Sequence, residues 1–239
     1  MNFFRLQNCP GANSMQWQLP STWAHPCGLI LPVTLLFLVS GCSLTGAMPG
    51  ASQKAARQTY LLQGDGISAA ADVAAARPCL SLRVSATASA PGYGTTRMAY
   101  TTQPPRLDYF AYHEWADLPA RMFAAMIETR LDASTLLGTV VTGSSDVRTD
   151  LRLDSELKSL RQDFTGDDSS IALEIKVSLV DVSRRSLLHT KTFSYREASD
   201  GSGPDTGARA ANRAADRFLA ELMVFVADSI AGFDCSDKS

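Results

Sequence analysis

Five apolar residues at every second position, Ile171, Leu173, Ile175, Val177 and Leu179, constrain the fold of this chain more than any other feature. Glu174, Lys176 and Ser178 stand between them. A two-residue period puts the two sets on opposite sides of an extended strand. A sheet covered on one face and wet on the other follows. Residues 186–195 repeat the pattern with Leu187, His189, Lys191, Phe193 and Tyr195 after a short polar turn, which makes the pair a β-hairpin. Upstream, Leu151, Leu153 and Leu157 alternate with Arg148, Asp150, Arg152, Asp154 and Glu156. Residues 163–170 read as a loop.

Shorter strands fill the first half. TYLLQ at 59–63, CLSLRVSAT at 79–87, RMAYT at 97–101 and RLDYFAYHEW at 106–115 are rich in β-branched, aromatic or alternating apolar residues. Pro104 and Pro105 separate the last two, which pair as a hairpin. Residues 136–142 (LLGTVVT) add another strand. Residues 64–78 are Ala-rich without large apolar residues and read as a loop.

Two helices complete the pattern. Asp117 is placed to cap the first, with Pro119 in its first turn, and the helix runs to about Asp132. Leu118, Met122, Met126, Phe123, Ile127 and Leu131 form its apolar stripe. The second covers about 206–231, with Ala211, Ala215, Phe218, Leu222, Phe225 and Ile230 inward and Gly232 as its stop. The order predicts an α+β single domain: a mixed, mostly antiparallel sheet with two main helices packed on one face.

Residues 28–41 (GLILPVTLLFLVSG) are apolar and uncharged. The run is too short to span a bilayer and suits the hydrophobic region of a secretory signal. Val39, Ser40, Gly41 and Cys42 follow in register and resemble a bacterial lipobox, where the cysteine thiol is acylated and the chain is cut before it. Arg5 is the one Lys or Arg before Cys42, and Met15 is a second candidate start. The predicted division is a lipoprotein signal peptide at 1–41, a flexible tether at 42–57 and a domain at 58–235. Ser43, where an Asp would resemble an inner-membrane retention signal, points to the outer membrane, with the domain on its periplasmic face.

Of five cysteines, Cys9 and Cys27 would leave with the signal and Cys42 would carry lipid. Cys79 and Cys235 remain, and an exported domain sees an oxidising compartment, so they are a candidate disulfide. Two separate thiols are the other reading.

The chain carries 22 Lys and Arg against 24 Asp and Glu, a balance without the basic excess that phosphate binding demands, so nucleic acid is not a predicted partner. His113 and His189 sit inside strand patterns. No GxSxG elbow, HExxH, CxxC or phosphate-cradling glycine loop occurs. Asp163, Asp167 and Asp168 lack an EF-hand pattern around them. No enzyme activity, cofactor or metal is therefore expected. Tyr109, Phe110, Tyr112 and Trp115 form a dense aromatic run, half of which belongs in the core while the exposed half would be a partner surface; Tyr109, Tyr112, His113, Trp115 and Arg121 are the candidate positions for it, at the strand and helix entry.

In this order, the lipobox with Cys42, Tyr60-Leu61-Leu62, Leu80-Ser81-Leu82-Arg83-Val84, Arg97-Met98-Ala99-Tyr100, the run from Leu107 to Ala116, Leu118-Pro119 and Leu160-Arg161-Gln162-Asp163-Phe164 resemble the ABC-type transport auxiliary lipoprotein family. The stretch 97–119 is the most specific. The resemblance implies a non-catalytic periplasmic component working beside an ABC permease, its ATPase and an MCE-domain protein, in transport of phospholipid or another apolar substrate between membranes. Residues 64–78 depart from the family pattern as an Ala-rich insertion. Two other classes stay open at this point: a structural envelope-assembly lipoprotein bound to a different outer-membrane complex, and a periplasmic hydrolase. Self-association into a homo-oligomer also stays open.

Overall fold

A computed structural model of the 239-residue chain describes residues 56–64, 76–142 and 147–235. The signal peptide, Cys42 and nearly all of the tether lie outside the described residues, as does most of the 64–78 segment.

The elements run β1 (Gln58–Tyr60), β2 (Arg77–Val84), β3 (Ala88–Ser89), β4 (Arg97–Thr101), β5 (Asp108–Trp115), α1 (Pro119–Asp132), β6 (Leu137–Thr142), β7 (Leu151–Asp163), β8 (Ser170–Asp181), β9 (Ser186–Ala198) and α2 (Pro204–Ile230). The expected α+β architecture is present: one large mixed sheet, with both helices packed on the same face. Its bulk is the antiparallel β7–β8–β9 meander, paired from Leu151↔Asp181 to Asp163↔Ser170 and from Ser170↔Ala198 to Asp181↔Ser186, with one register shift in each ladder. On its other edge β7 receives three short parallel strands in succession: β2 at Leu151–Leu153, β3 at Glu156–Leu157 and β4 at Arg161–Asp163. Strand β6 extends the sheet beyond β2, and β5 and then β1 extend it beyond β4.

β7 is longer than its leucine pattern suggests. A bulge between Leu157 and Ser159 inserts one residue against β8. The inward positions therefore change from Leu151, Leu153 and Leu157 to Leu160 and Gln162, and the strand continues to Asp163. A single-residue bulge flips every later side chain, which is why the period appears to end. A second bulge, between Leu179 and Val180, displaces the start of β9. Only Phe193 and Tyr195 of the expected β9 face are buried; Leu187 is 61% exposed and Leu188 is half-buried.

Asp117 does not cap α1. Leu118 occupies the cap position without a side-chain bond, Pro119 opens the helix, and Asp117 Oδ1 accepts from the Leu118 N–H at 2.7 Å. Helix α2 begins at Pro204, two residues before the expected start. Its inner face is lined by Ala208, Ala210, Ala211, Ala214 and Ala215, then Phe218, Leu222, Val226 and Ile230. Small residues let the helix axis approach the sheet. A Cβ added to Gly207 would lie 2.4 Å from Gln162 Oε1 on β7. Further along, Phe218 meets Phe193 of β9 at 5.3 Å and Phe123 of α1 at 5.9 Å, both edge-to-face.

The end of α2 is fastened to β2. Cys79 and Cys235 are disulfide-bonded with Cα atoms 5.6 Å apart. Arg77 Nε donates to Phe233 O at 2.8 Å and its Nη2 to Ala231 O at 2.6 Å, so one guanidinium satisfies carbonyls that the helix terminus leaves open.

Phe218→Ala removes the ring shared by both helices and β9 and is expected to lower unfolding free energy by about 3–5 kcal/mol in urea titration. Reducing the Cys79–Cys235 bridge is expected to lower the same quantity by up to about 4–5 kcal/mol, since it releases a very long loop. An unchanged midpoint on reduction would refute a structural bridge.

Candidate functional site: an aromatic rim on the helix face

The β4–β5 hairpin is where local sequence departs furthest from regular pairing. Arg97 pairs with Glu114, but Ala99 pairs with Tyr109. Met98 alone thus faces the β5 segment Phe110, Ala111, Tyr112 and His113. This bulge ends the two-residue alternation and brings Phe110 and His113, three residues apart, into ring contact at 6.0 Å.

Neighbouring strands extend the contact. Tyr60 of β1 stacks on His113 at 5.9 Å, because Gln58 pairs with His113. Tyr100 of β4 lies 4.6 Å from Phe110, and Phe164, just past β7, lies 6.0 Å from Tyr100 and 6.5 Å from Phe110. Tyr100 pairs with Gln162, whose side chain lies under α2, so these rings belong to the helix side of the sheet. All five are half-buried. They form a rim that continues the core past the start of α2.

The rim is held by polar contacts. The Tyr60 hydroxyl donates to Gln58 Oε1 at 2.8 Å and lies 3.0 Å from His113 Nδ1. One hydroxyl proton cannot serve both, so in this arrangement His113 Nδ1–H is the donor to Tyr60. Burial, and then the negative charge of Asp205, hold the Tyr60 hydroxyl above its ordinary range. Phe164 is positioned by Asp163, which accepts from Thr165 N–H at 3.0 Å, Thr165 Oγ1 at 2.6 Å and Arg196 Nη1 at 3.2 Å. Burial alone would push the Asp163 carboxyl up; these hydrogen bonds and the Arg196 charge outweigh it and bring it below the ordinary value. Beside Phe164 an open cleft of about 520 Å³ is lined by Asp167, Asp168, Ser169, Ser199, Asp200 and Gly201. Among the described residues, no group of three His, Cys, Asp or Glu side chains is placed to hold a metal ion.

The candidate partner residues do not form one exposed patch. Tyr112 is 51% exposed within the bulge, and His113 is half-buried in the ring chain. Arg121 is exposed at the first turn of α1 and lies 3.6 Å from Asp117. Tyr109 is locked: its hydroxyl donates to Gly92 O at 2.7 Å and the Arg97 guanidinium covers its ring at 4.5 Å. Trp115 is a correction. It is 3% exposed and belongs to the core, where the strand enters the α1 connection, so it cannot serve a partner surface. Tyr60, Tyr100 and Phe164 escaped sequence reading because only strand pairing gathers them. Phe110 lay in plain view within the aromatic run but was not among the candidate partner residues.

The fold and rim define an α+β domain with a mixed sheet, two helices on one face and an aromatic border beside the second helix. The family model described as ABC-type transport auxiliary lipoprotein component matches residues 60–223, and the chain belongs to that family. Protein XCC0632 from Xanthomonas campestris is similar in structure, with a TM-score of 0.65 at 17% identity over 72% of this chain and 95% of its own. A second solved structure, of an uncharacterized protein, gives 0.56 at 13% identity over 72% of this chain and 99% of its own. These likenesses establish the fold. No curated protein matches the chain.

Asp163→Asn is expected to lower stability at neutral pH by about 1–3 kcal/mol, since hydrogen bonds to a charged acceptor are lost. The folded carboxyl titrates below the unfolded one, so its contribution is complete above the unfolded value and disappears as pH falls through the folded value. The gap between wild type and variant should therefore close on acidification in chemical denaturation, and a pH-independent gap would contradict the assignment.

Proposed function

We propose that this chain is the lipid-anchored, non-catalytic auxiliary component of an ABC/MCE-type transport system, held on the periplasmic face of the outer membrane. Family membership over residues 60–223 is the observation that carries this reading. The lipobox ending at Cys42 supports it independently, because it supplies an anchor at the start of a tether that leads directly into β1. ATP hydrolysis falls to a separate subunit. The domain docks the MCE-domain component that reaches across from the inner membrane, so that phospholipid or another apolar substrate passes between membranes in a bound state.

The test is co-purification in mild detergent with an MCE-domain protein of the same cell. Recovery of that protein in comparable amount is expected from wild type. Failure to recover it from membranes that contain both proteins would overturn the transport reading. Cys42→Ser is expected to prevent acylation and leave the unprocessed chain visible as a slower band on denaturing gels.

A further inference from the structure

We infer that the outer edge of β9 is an interface between two copies of this chain, with a twofold axis at Thr192 that joins their sheets. The inference does not rest on the transport reading.

The first observation is the edge itself. Among the described residues β9 pairs with β8 alone, so the N–H and C=O groups along its other edge have no strand beside them. β9 has 13 residues, against 3 in β1 and 6 in β6, the strands at the opposite borders of the sheet. A long open edge invites another strand, and folds that stay single blunt such edges with proline, brevity or outward lysine. β9 contains no proline. Its one lysine, Lys191, turns back over the domain, with Nζ 4.5 Å from the centre of the Phe193 ring and 3.6 Å from Glu221 of α2.

The second observation is that β9 complements itself. An antiparallel register about Thr192 sets Lys191 against the partner's Phe193, Thr190 against the partner's Ser194 and His189 against the partner's Tyr195. No like charges oppose each other, and isologous pairing closes on itself. Thr190, Thr192 and Ser194 are exposed and uncharged. Ser178 of β8 and Thr190 already share a hydrogen bond at 2.9 Å, the kind of cross-strand hydroxyl pairing that a second β9 extends.

The third is the place of α2, which lies over β8 and β9. With strands about 4.8 Å apart, two sheets joined at β9 hold the two α2 axes about 10 Å apart, the separation at which helices pack. The α2 residues on this side are Arg213 and Arg217, which bond Glu197 of β9, then Glu221, and then Val224 and Asp228, which line a cleft of about 190 Å³ with His189. Phe193 meets both Phe218 and Phe225, so an axis at Thr192 passes near Leu222. That axis brings the two Val224 side chains, each 48% exposed in a single copy, to a shared seam. It also sets Asp228 beside the partner's Arg217. The two Glu221 carboxylates near the axis each keep Lys191 as counter-ion.

The experiment uses the full chain in mild detergent. Thr192→Cys puts a thiol on the axis, and Thr129→Cys puts one at an exposed site on α1. Under mild oxidation Thr192→Cys is expected to run mainly as a disulfide-linked dimer on non-reducing gels, because facing residues of paired strands lie within disulfide range. Thr129→Cys and wild type are expected to run as single chains. Thr192→Lys sets two ammonium groups face to face and is expected to halve the mass measured by sedimentation without changing the thermal melting of the fold. A wild-type chain that sediments as a single copy would overturn the inference. So would a dimer yield from Thr192→Cys no higher than from Thr129→Cys, or a folded Thr192→Lys of undiminished mass. If Thr192→Lys does not fold, the cross-linking comparison decides alone.

Discussion

The close seating of α2 on the β7–β8–β9 meander is the contact on which the rest of the structure depends. Gly207 and the alanines of the first four turns bring the helix close enough for Gln162 to lie beneath it, and Phe218 then wedges between Phe193 and Phe123. Without that contact the inner face of the meander, from Leu151 through Leu179, would be left to water. Because β8 pairs with β7 from end to end, the other edge of β7 is a template on which three short strands assemble. The short strands have too few residues to persist alone. They owe their register to β7, and the aromatic rim owes its geometry to them.

Elements governed by local chemistry were legible in the sequence. The run from Ile171 to Leu179 states its own burial, and both helices show stripes that the core uses nearly residue for residue. Errors arose where one residue changes the period. Lys158 at the β7 bulge ended the alternation early, and the displacement near Leu188 turned Leu187 outward. At α1, a plausible Asp cap yielded to Leu118 because Pro119 already sets the first helical residue. The candidate site was half legible. The aromatic density of residues 109–115 marked the right hairpin, but the large bulge opposite Met98 decides which rings are shared, and bulges leave no periodic trace.

Among the described residues, β1 is an outer strand that pairs with β5. A tether that ends in such a strand can be pulled upon without threading through the core. At the other end of the chain, Arg77 and the Cys79–Cys235 bridge bind the last turn of α2 to β2, so neither terminus of the described domain is loose.

The anchor is the claim on which this account turns. Intact-mass spectrometry of the protein purified from its own envelope tests it directly. The predicted mature chain begins at Cys42 and is heavier than its residues by a thioether-linked diacylglyceryl group and an amide-linked acyl chain. A mature chain that begins elsewhere, or that carries an unmodified Cys42, would contradict it.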